Sequence, residues 1–565
     1  MSKKNHNQVV KLIPLGGVGE IGKNMFLVQV GNECILMDAG LKFPDESMLG
    51  VDIVIPDISY ILENKLNVLG IILTHGHEDH IGAMPFILED IKAPIYGTRL
   101  TLGLLQAKLM EHPVKDLQLN EIVPDNNLVL SANFKIDFFR TNHSIPDSVG
   151  LAIETPAGII VYTSDFKFDQ TPVDGRITDY HKLADIGKRG VVAALIDSTN
   201  ADRPGYTLSE KVVGNSIDEI FRLSNSRIIL ATFASNIHRI QQVVNAAVRY
   251  ERKVCVIGRS IVNSVNIATE LGYLKIPVDV LVDVDQIKEI NPEKMALITT
   301  GSQGEPMSAL TRISQSEHRQ VEVREGDTVI IAANPIPGNE KLVARTVNNL
   351  FQLKAEVIYR AVSGVHVSGH GSEEEIKLMI NLLRPRYLIP VHGEFRQMTY
   401  CSKIAQNLDI PENNVFLVKP GSVMEFTDGK GRLAGTVPAG RILVDGFGVG
   451  DVGEVVIRDR QILSEDGIVI IVLAINQDNG KLLAGPEIIT RGFVYVRESV
   501  DLIEGSKESL LKTINKINNE KLSEWNKIKS RIRDSASSYF YEHTGRRPMI
   551  MPIIIDIPTQ DNKLQ

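Results

Sequence analysis

The chain has 565 residues, 43% hydrophobic and 23% charged, which is typical of a globular protein and excludes a wholly disordered one. Its 61 Lys and Arg against 69 Asp and Glu give a net charge of −8. This balance excludes a uniformly basic coat for nucleic acid but allows a local basic groove. Three widely spaced cysteines without a CxxC motif favour a reducing compartment, so we expect a cytoplasmic protein.

The first residues of the chain are not predicted to form a signal peptide. The start, MSKKNHNQVVKL, lacks an apolar segment before a small-residue cleavage site, so we interpret it as a polar lead-in to a strand. No stretch of about 18 apolar residues is free of charge, so no membrane span is predicted.

Short apolar runs bounded by Gly, Asn or Asp recur through the first third of the chain. The runs KLIPLGG, NMFLVQV, CILMDAG and IILTHGH are rich in Ile, Val and Leu, which predicts strands. Helical segments lie between some of them, for example near Leu100 to Met110. The pattern predicts a layered α/β domain with sheets buried beneath helices.

The rhythm changes from about Leu208 to Ser363, where strands such as RIILATF, KVCVIG, ALITTG and VIIAAN alternate with helical segments. Such alternation is typical of a parallel, doubly wound unit. The run RPRYLIPVHGE then resembles the buried strands of the first third again. We therefore predict a first domain that is interrupted by an inserted one.

The Gly-rich segment VDGFGVGDVGE, Val444 to Glu454, predicts the exit from that domain. Beyond it, one helical face is predicted from the spacing of Leu510, Ile514, Ile517, Trp525, Ile528 and Ile532. Gly545 and Pro548 would end this helix, and MIMPIIIDI would follow as a strand.

The segment THGHEDHIG carries the strongest chemical signal in the chain. It places His75, His77, Asp79 and His80 within six positions, on the loop that leaves the strand IIL. Imidazole nitrogens and a carboxylate without thiolates suit a borderline ion such as Zn²⁺ and favour a catalytic site over a structural one. Without a metal, four such crowded side chains would repel or desolvate one another. Glu78, inside the motif, is assigned no ligand role.

Three more candidate ligands stand where other predicted strands end. They are His143 after FKIDFFR, Asp165 after GIIVYT and His392 after YLIP. Strand ends at one sheet edge can converge, and a carboxylate bridging two ions is a common device in two-metal sites. Asp165 is the candidate bridge. Each of these residues taken alone would more often be structural, and the THGHEDH cluster is what favours a ligand role.

Two further segments suit the binding of phosphate. VHVSGHGS, Val365 to Ser372, offers backbone N–H groups and the Ser368 hydroxyl. TFASN precedes a helix, where either a phosphate or an ordinary Ser or Asn cap is expected. GGVGEIG lacks the third glycine and the βαβ unit of a dinucleotide site, so we interpret it as a tight turn.

Together these motifs resemble a known family. THGHEDH, His143, Asp165 and His392 are similar to the metal motifs of the metallo-β-lactamase superfamily, and the insertion and PVHGE resemble its β-CASP subgroup. PLGGVGEIGKN, DAGLKFP, GVDIVIPD, SGHGS and VDGFGVGDVG extend the resemblance to the bacterial ribonuclease J family. It implies an α/β fold: a metallo-β-lactamase αββα sandwich with an inserted doubly wound β-CASP domain and a small α+β C-terminal domain.

The resemblance also implies domain boundaries. Residues 1–207 and 364–450 would form the two parts of the metallo-β-lactamase domain, and residues 208–363 would form the β-CASP domain. Residues 451–565 would form a linker and the C-terminal domain.

Ligand and catalytic roles follow from the same resemblance. The first zinc ion would take His75, His77, His143 and Asp165, and the second would take Asp79, His80, Asp165 and His392. Catalytic roles would fall to His370, Asp79 and Asp197. The expected substrate-binding residues are Phe233, Ala234, Ser235, His366, Val367, Ser368, Gly369 and His370. Gly50, Asp52 and Asp445 match positions where some members hold a structural Ca²⁺, although a polar turn explains them equally well.

The implied function is a zinc-dependent ribonuclease with 5′→3′ exonuclease and endonuclease activity in RNA decay, mRNA turnover and rRNA maturation. Hydroxide activated by two zinc ions would hydrolyse the phosphodiester bond. The expected partners are RNA with 5′-monophosphate ends and a second copy or a paralogue in a homodimer or higher oligomer. Two alternatives stay open: a hydrolase of thioesters or lactams, and a non-catalytic RNA-binding scaffold. The long insertion argues against the first, and the complete set of metal positions argues against the second.

Overall fold

A computed structural model of the protein describes residues 8–112, 114, 116–305, 307–335, 339–359, 364–446, 448–476, 481–519 and 525–557. The chain forms two compact units. The first comprises Met1–Phe43 and Ile53–Ile442, and the second comprises Pro44–Asp52 and Leu443–Gln565. Within the described residues, no helix combines the length and apolar character that a membrane crossing requires.

Two mixed sheets form the centre of the first unit. In spatial order, the eight strands of one sheet are Lys430–Thr436, Ser422–Thr427, Val10–Pro14, Phe26–Val30, Glu33–Met37, Asn67–Ile72, Ile95–Gly97 and Leu119–Glu121. The six strands of the other are Tyr387–Val391, Val191–Asp197, Gly158–Tyr162, Val149–Thr155, Lys135–Arg140 and Asn127–Val129. Apolar side chains from both sheets, such as Phe26 and Phe138, pack into one buried core. The sheets therefore lie face to face.

Helices cover the outer faces of this sandwich. The helices of this part are Ser59–Glu63, Glu78–Ile81, Met84–Asp90, Arg99–Glu111, Tyr180–Arg189, Glu373–Leu383 and Phe395–Asn407, with a 3₁₀ turn at Glu412–Asn414. A second core joins the six-stranded sheet to three of them, through residues such as Ile186, Ile376 and Cys401. The continuous apolar strand VVAALID (Val191–Asp197) is consistent with burial on both of its faces.

The segment between the two parts of the sandwich forms a separate parallel sheet. Its strands, in spatial order, are Lys253–Ile257, Met295–Thr299, Ile228–Ala231, Thr328–Ile331 and Glu356–Ile358. The helices here are Glu210–Leu223, Ile237–Arg249, Arg259–Glu270, Ala309–Ser314 and Glu340–Gln352, with 3₁₀ turns at Val284–Lys288 and Pro292–Lys294. Separate apolar cores lie on the two faces of the sheet, one around Ile240 and the other around Leu310. This arrangement is doubly wound.

The second unit contains a three-stranded sheet in the order Leu482–Arg491, Ile468–Asn476 and Met549–Ile557. The strand Arg441–Asp445 leads into this unit, and Gly448–Val449 pairs with its end. The helices of the unit are Glu454–Glu465, Val500–Asn519 and Trp525–Thr544, with a 3₁₀ turn at Val496–Glu498. Ile471, Ile514 and Ile532 are buried in one core of sheet and helices.

One prediction for this second unit is wrong in part. The face from Leu510 to Ile532 belongs to two helices, Val500–Asn519 and Trp525–Thr544, and not to one. Residues 520–524, between the two helices, lie outside the described residues, as does the side chain of Trp525. Because both helices bury their apolar side chains against the same sheet, helical spacing alone did not reveal the break. The predicted boundary at residue 363 also lies outside the described residues.

Candidate metal centre

The candidate ligands all follow the ends of strands in the first unit. The strand Asn67–Ile72 leads to the THGHEDH segment, and Lys135–Arg140 leads to His143. Gly158–Tyr162, Val191–Asp197 and Tyr387–Val391 run parallel to one another in the six-stranded sheet. Since parallel strands end at the same edge, the residues that follow them can meet there.

Four of the candidate side chains form a first group around His77. The Nδ1 atom of His77 lies 3.1 Å from Nε2 of His75 and 3.1 Å from Nε2 of His143. The Oδ2 atom of Asp165 lies 3.6 Å from Nε2 of His75 and 3.4 Å from Nε2 of His143. One nitrogen from each imidazole and one carboxylate oxygen therefore face a common point.

A second group forms on the other side of Asp165. Its Oδ1 atom lies 3.3 Å from Nε2 of His80 and 3.9 Å from Nε2 of His392. The Oδ2 atom of Asp79 lies 2.9 Å from Nε2 of His392 and 3.7 Å from Nε2 of His80. Asp165 thus directs one carboxylate oxygen toward each group. In both groups the potential ligand atoms lie within 4.8 Å of one another.

The spacing and chemistry of these atoms fit a pair of divalent cations. A tetrahedral zinc site with bonds of about 2.1 Å has ligand atoms about 3.4 Å apart, and the four separations given above for the first group are 3.1–3.6 Å. The Oδ1 atom of Asp165 is buried and accepts no hydrogen bond from the described residues. A buried carboxylate oxygen without such a partner is costly unless a cation satisfies it. The residues present therefore fit two ions that share Asp165.

The imidazoles of the first group are neutral at pH 7. Burial holds the pKa of His75 and of His143 well below the usual range. Burial also lowers the pKa of His77, to about 4. Neutral imidazole nitrogens carry the free lone pairs that a metal ion requires.

In the second group, the pKa values of the histidines are raised and not lowered. Burial acts to lower the pKa of His392, but the carboxylates of Asp165, Asp79 and Asp197 together outweigh it and raise that pKa to about 9. Burial acts to raise the pKa of Asp165, but His392, His80 and His370 together outweigh it and hold that pKa well below the usual range. Asp165 is therefore ionised, and the raised pKa values of His392 and His80 show that the carboxylates of this group attract positive charge.

The sequence analysis assigned no role to Asp38, a fully buried residue beneath the second group. Its Oδ2 atom lies 2.7 Å from Nδ1 of His80 and accepts hydrogen bonds from the hydroxyls of Thr74 (2.9 Å) and Tyr162 (3.0 Å). Its Oδ1 atom accepts the backbone N–H of Thr74 at 2.8 Å. A carboxylate on the far nitrogen of a ligand histidine fixes the ring and its tautomer. Asp38 also follows a strand, Glu33–Met37, and this shared position is the signal that could have identified it.

Backbone strain is concentrated at the same strand ends. Asp38, Ser164 and His392 have φ values of 59°, 51° and 53°, in the left-handed region that residues other than glycine rarely adopt. Such conformations cost about 1–3 kcal/mol each and persist where the surrounding contacts require them. Here they turn the chain sharply at the end of a strand.

Asp197 and His370 form a pair next to both groups. Nδ1 of His370 lies 2.7 Å from Oδ2 of Asp197, and its Nε2 lies 4.0 Å from Oδ2 of Asp165. Thr199 contacts both Asp197 and His392, because its hydroxyl lies 2.7 Å from Oδ1 of Asp197 and 2.7 Å from Nδ1 of His392. The structure thus brings Asp197 and His370 to the predicted ligands. Glu78 instead lies at the surface and pairs with Lys108 at 2.7 Å.

The SGHGS loop contacts the first group directly. Nδ1 of His143 lies 2.8 Å from the carbonyl oxygen of Gly369. A Cβ atom at Gly369 would lie 2.6 Å from the ring of His143, so the loop can approach this closely only without a side chain. The hydroxyl oxygen of Ser368 accepts hydrogen bonds from Nδ2 of Asn200 (2.8 Å) and from the backbone N–H of His370 (3.2 Å). Its own hydrogen therefore stays available for a ligand.

The remaining predicted substrate-binding residues lie around the start of the helix Ile237–Arg249. Asn236 caps this helix through Oδ1, which accepts the N–H of Arg239 at 3.1 Å. TFASN therefore contains an ordinary helix cap, and the capping residue is Asn236. The three residues before it, Phe233, Ala234 and Ser235, are partly exposed. His366 lies 3.2 Å from Nη1 of Arg239. Among the described residues, no hydrogen bond or ion pair links Phe233, Ala234 or Val367 to the metal-binding groups.

The candidate calcium ligands lie in the second unit. Oδ2 of Asp52 accepts the N–H of Gly446 at 2.8 Å, and Gly50 lies next to Arg460. The Arg460 guanidinium donates to Oδ2 of Asp445 (2.5 Å) and to the carbonyl oxygen of Leu49 (2.9 Å). A cationic side chain therefore already neutralises one of the two carboxylates, whereas Ca²⁺ takes six to eight oxygen ligands. The calcium ion stays a prediction.

The fold and the metal-binding geometry define a metallo-β-lactamase sandwich with an inserted β-CASP domain. Comparison with known families agrees. Residues 18–223 match "Metallo-beta-lactamase superfamily", 225–350 match "Ribonuclease J, beta-CASP domain", 354–417 match "Zn-dependent metallo-hydrolase RNA specificity domain", and 455–557 match "Ribonuclease J C-terminal domain". The predicted fold class is confirmed.

Individual relatives identify the family. The chain is 46% identical to Ribonuclease J2 of Bacillus subtilis (strain 168), over 98% of this chain and 100% of that protein. It is 43% identical to Ribonuclease J 2 of Staphylococcus aureus (strain MRSA252), over 98% of this chain and 99% of that protein. The chain belongs to the ribonuclease J family and is an enzyme of the metallo-β-lactamase hydrolase type.

A solved structure is similar in fold. A crystal structure of a protein of unknown function from Enterococcus faecalis V583 matches with a TM-score of 0.53 at 14% identity. The match covers 75% of this chain and 100% of that one.

Proposed function

We propose that this protein is a two-zinc ribonuclease that degrades RNA from the 5′ end in the 5′→3′ direction and also cuts internally. The observation that carries the proposal is the position of Asp165, which directs Oδ2 toward three imidazoles and Oδ1 toward a second set of ligands. Family membership supports RNA as the substrate. Divalent ions held by these residues would acidify water and neutralise the charge on a phosphate group.

The protein's own residues account for the other requirements of phosphodiester hydrolysis. Asp197 holds His370 through Nδ1, which leaves Nε2 directed toward the ligand groups. From there His370 stabilises the charge that develops on the phosphate, or donates a proton to the departing 3′ oxygen. Thr199 supports His392 and Asp197 through one hydroxyl, so it positions both.

The SGHGS loop supplies the anchor for a 5′-monophosphate. The Ser368 hydroxyl retains a donor hydrogen, and Gly369 holds the loop against His143. A terminal phosphate bound here would lie close to the first group. This position favours removal of one terminal nucleotide at a time, whereas internal cutting requires RNA to pass without this anchor.

The same proposal extends to the number of metal ions, the cellular role, the location and the oligomeric state of the protein. Two zinc ions per chain, roles in RNA decay, mRNA turnover and rRNA maturation, a cytoplasmic location and a homodimer or higher oligomer, with a paralogue as a possible second subunit, are consistent with family membership. Every predicted metal position is filled in this chain. We therefore propose an active nuclease and not a scaffold.

The test uses uniformly labelled RNA with either a 5′-monophosphate or a 5′-triphosphate, incubated with the zinc-loaded protein. We expect mononucleotides from the first substrate, few from the second, and no cleavage of either by His77→Ala. His181→Ala is the matched control, because His181 is an exposed histidine on the helix Tyr180–Arg189 and contacts neither group. Cleavage that persists in His77→Ala would show that the assigned ligands are wrong. A zinc-loaded protein that leaves both RNAs intact would support the scaffold.

A further inference from the structure

The helix Phe395–Asn407 presents aromatic and cationic side chains on its outer surface. The exposed fractions are 60% for Phe395, 57% for the Arg396 side chain and 45% for Tyr400, and Lys403 is also exposed. Arg396, Tyr400 and Lys403 are spaced at i, i+4 and i+7, which places them on one side of a helix. Phe395, one residue before Arg396, is exposed at the start of the same helix. We call these four residues the aromatic–basic face.

The helix that carries this face is firmly anchored. Its opposite side buries Met398, Cys401 and Ala405. A capping box at Glu394 and Gln397 closes the first turn, and Nε2 of Gln397 donates to the carbonyl oxygen of Thr199 at 2.6 Å. The exposed residues therefore stand on a rigid support, and their exposure does not result from a loosely packed helix.

The aromatic–basic face begins next to the metal centre. Phe395 follows His392, a candidate ligand of the second group, by three residues. The SGHGS loop, the proposed anchor of the RNA 5′ end, contacts both groups: the Gly369 carbonyl oxygen lies 2.8 Å from Nδ1 of His143, and the His370 ring stacks on the His392 ring at 5.2 Å. An RNA strand held by its 5′ end in this loop and cut at the metal centre must leave the centre on the 3′ side of the cut, and this helix starts beside the second group. The eight steps from Phe395 to Lys403 span about 12 Å, enough for about two nucleotides.

The side chains suit single-stranded nucleic acid. Nζ of Lys403 lies 5.4 Å from the centre of the Tyr400 ring, so one aromatic ring carries its own cation. The Arg396 guanidinium is paired with Asp202 and lies 3.8 Å from Glu394, so Lys403 carries the cation of this face that is less compensated. Aromatic side chains stack with any base, and nearby cations attract the phosphates.

We propose that the aromatic–basic face binds the single-stranded RNA on the 3′ side of the cleaved bond, with Phe395 and Tyr400 stacking on bases and Lys403 contacting phosphate. The proposal rests on the proposed function, and it assigns a substrate-positioning role to residues outside the metal centre. It predicts that long substrates depend on this face, whereas substrates that end at the cleaved nucleotide pair do not.

The test compares kcat/KM for two substrates, a 5′-monophosphorylated dinucleotide and a 5′-monophosphorylated single-stranded decamer, in the double variant Phe395→Ala/Tyr400→Ala. Removing one stacking contact costs at least about fivefold, so kcat/KM for the decamer should fall by at least that factor. The kcat/KM value for the dinucleotide should stay within about twofold of wild type, which is less than the loss of one stacking contact, because a dinucleotide ends before it reaches the aromatic–basic face. Phe351→Ala is the control, because Phe351 is an exposed aromatic (51%) on another helix, Glu340–Gln352. It should leave both values unchanged.

A second variant tests the electrostatic part. Lys403→Gln should reduce the slope of log Kd against log salt concentration for decamer binding by about 0.7, the value for one phosphate contact to a single strand. Thermal unfolding of each variant checks that the helix remains folded.

The outcomes separate this proposal from the proposed function. If wild type cleaves neither substrate, the proposed function fails. If wild type cleaves both and the double variant loses equally on dinucleotide and decamer, or on neither, the aromatic–basic face has no role in RNA binding. Loss of self-association in the double variant with unchanged decamer kinetics would assign the face to a protein partner and would also overturn the proposal.

Discussion

Asp38→Asn tests whether the buried carboxylate beneath His80 is required to build the second group. Asp38 interacts with four donors: Nδ1 of His80, the hydroxyls of Thr74 and Tyr162, and the N–H of Thr74. Three of them meet at Oδ2. An amide nitrogen at either position would face donors, so at least one buried donor loses its acceptor. At about 1–3 kcal/mol for each buried donor without a partner, we expect the free energy of unfolding to fall by at least about 1–3 kcal/mol.

Asp38→Asn should also lower the affinity for zinc, which a loss of stability elsewhere in the protein should not do. Loss of the carboxylate on the far nitrogen of a ligand histidine typically costs 10- to 100-fold in metal affinity, so we expect zinc affinity to fall within that range. Denaturant unfolding of the apo-protein measures stability, and competition with a chelator of known affinity measures zinc binding.

Asp327→Asn is the matched control for this variant. Asp327 is equally buried, at 2% exposure, and pairs with Arg227 at 2.5 Å in the inserted domain. It should lower the free energy of unfolding without changing zinc affinity. If Asp38→Asn keeps the zinc affinity of wild type, or if Asp327→Asn lowers it as much, Asp38 does not position His80 for a metal.

Three further predictions concern the SGHGS loop and its surroundings. Burial and then the Arg239 cation lower the pKa of His366 to about 3. Below about pH 6.5 this histidine is therefore protonated in the unfolded chain but stays neutral in the folded chain. The free energy of unfolding should therefore fall from about pH 6.5 toward pH 3, and in His366→Gln it should fall less steeply, by up to about 1.4 kcal/mol per pH unit in urea titrations. Ser368→Ala should reduce the preference for 5′-monophosphate over 5′-triphosphate RNA about tenfold in competition assays, because a hydrogen bond to a charged group is lost; an unchanged preference would place the anchor elsewhere. Gly369→Ala should lower zinc binding at least about tenfold, because its Cβ would lie 2.6 Å from the His143 ring; normal metal content would show that the loop moves aside freely.

Much of the metal centre could be predicted from the sequence because its ligands are chemically conspicuous. The THGHEDH segment concentrates three histidines on one loop, and His143, Asp165 and His392 each follow a strongly apolar run. The position of a residue after a buried strand is a local property that hydrophobic patterns reveal. The structure brings these positions together as the parallel strand order requires.

The supporting residues could not be predicted in the same way. Asp38, Thr199 and Arg460 act through contacts with residues far away in the sequence, and their types are common at strand ends and on helices. The break between the two C-terminal helices was missed for a related reason. Both helices pack on the same sheet, so the apolar spacing continues across the break.

The central claim is that Asp165 holds two metal ions together. Metal analysis of the purified protein by mass spectrometry, after zinc loading and removal of free metal, tests it in wild type and in Asp165→Ala. Two zinc ions per chain in wild type, and at most one in Asp165→Ala, is the result that we expect. Two firmly bound ions in Asp165→Ala, or none in wild type, would contradict the shared-carboxylate centre.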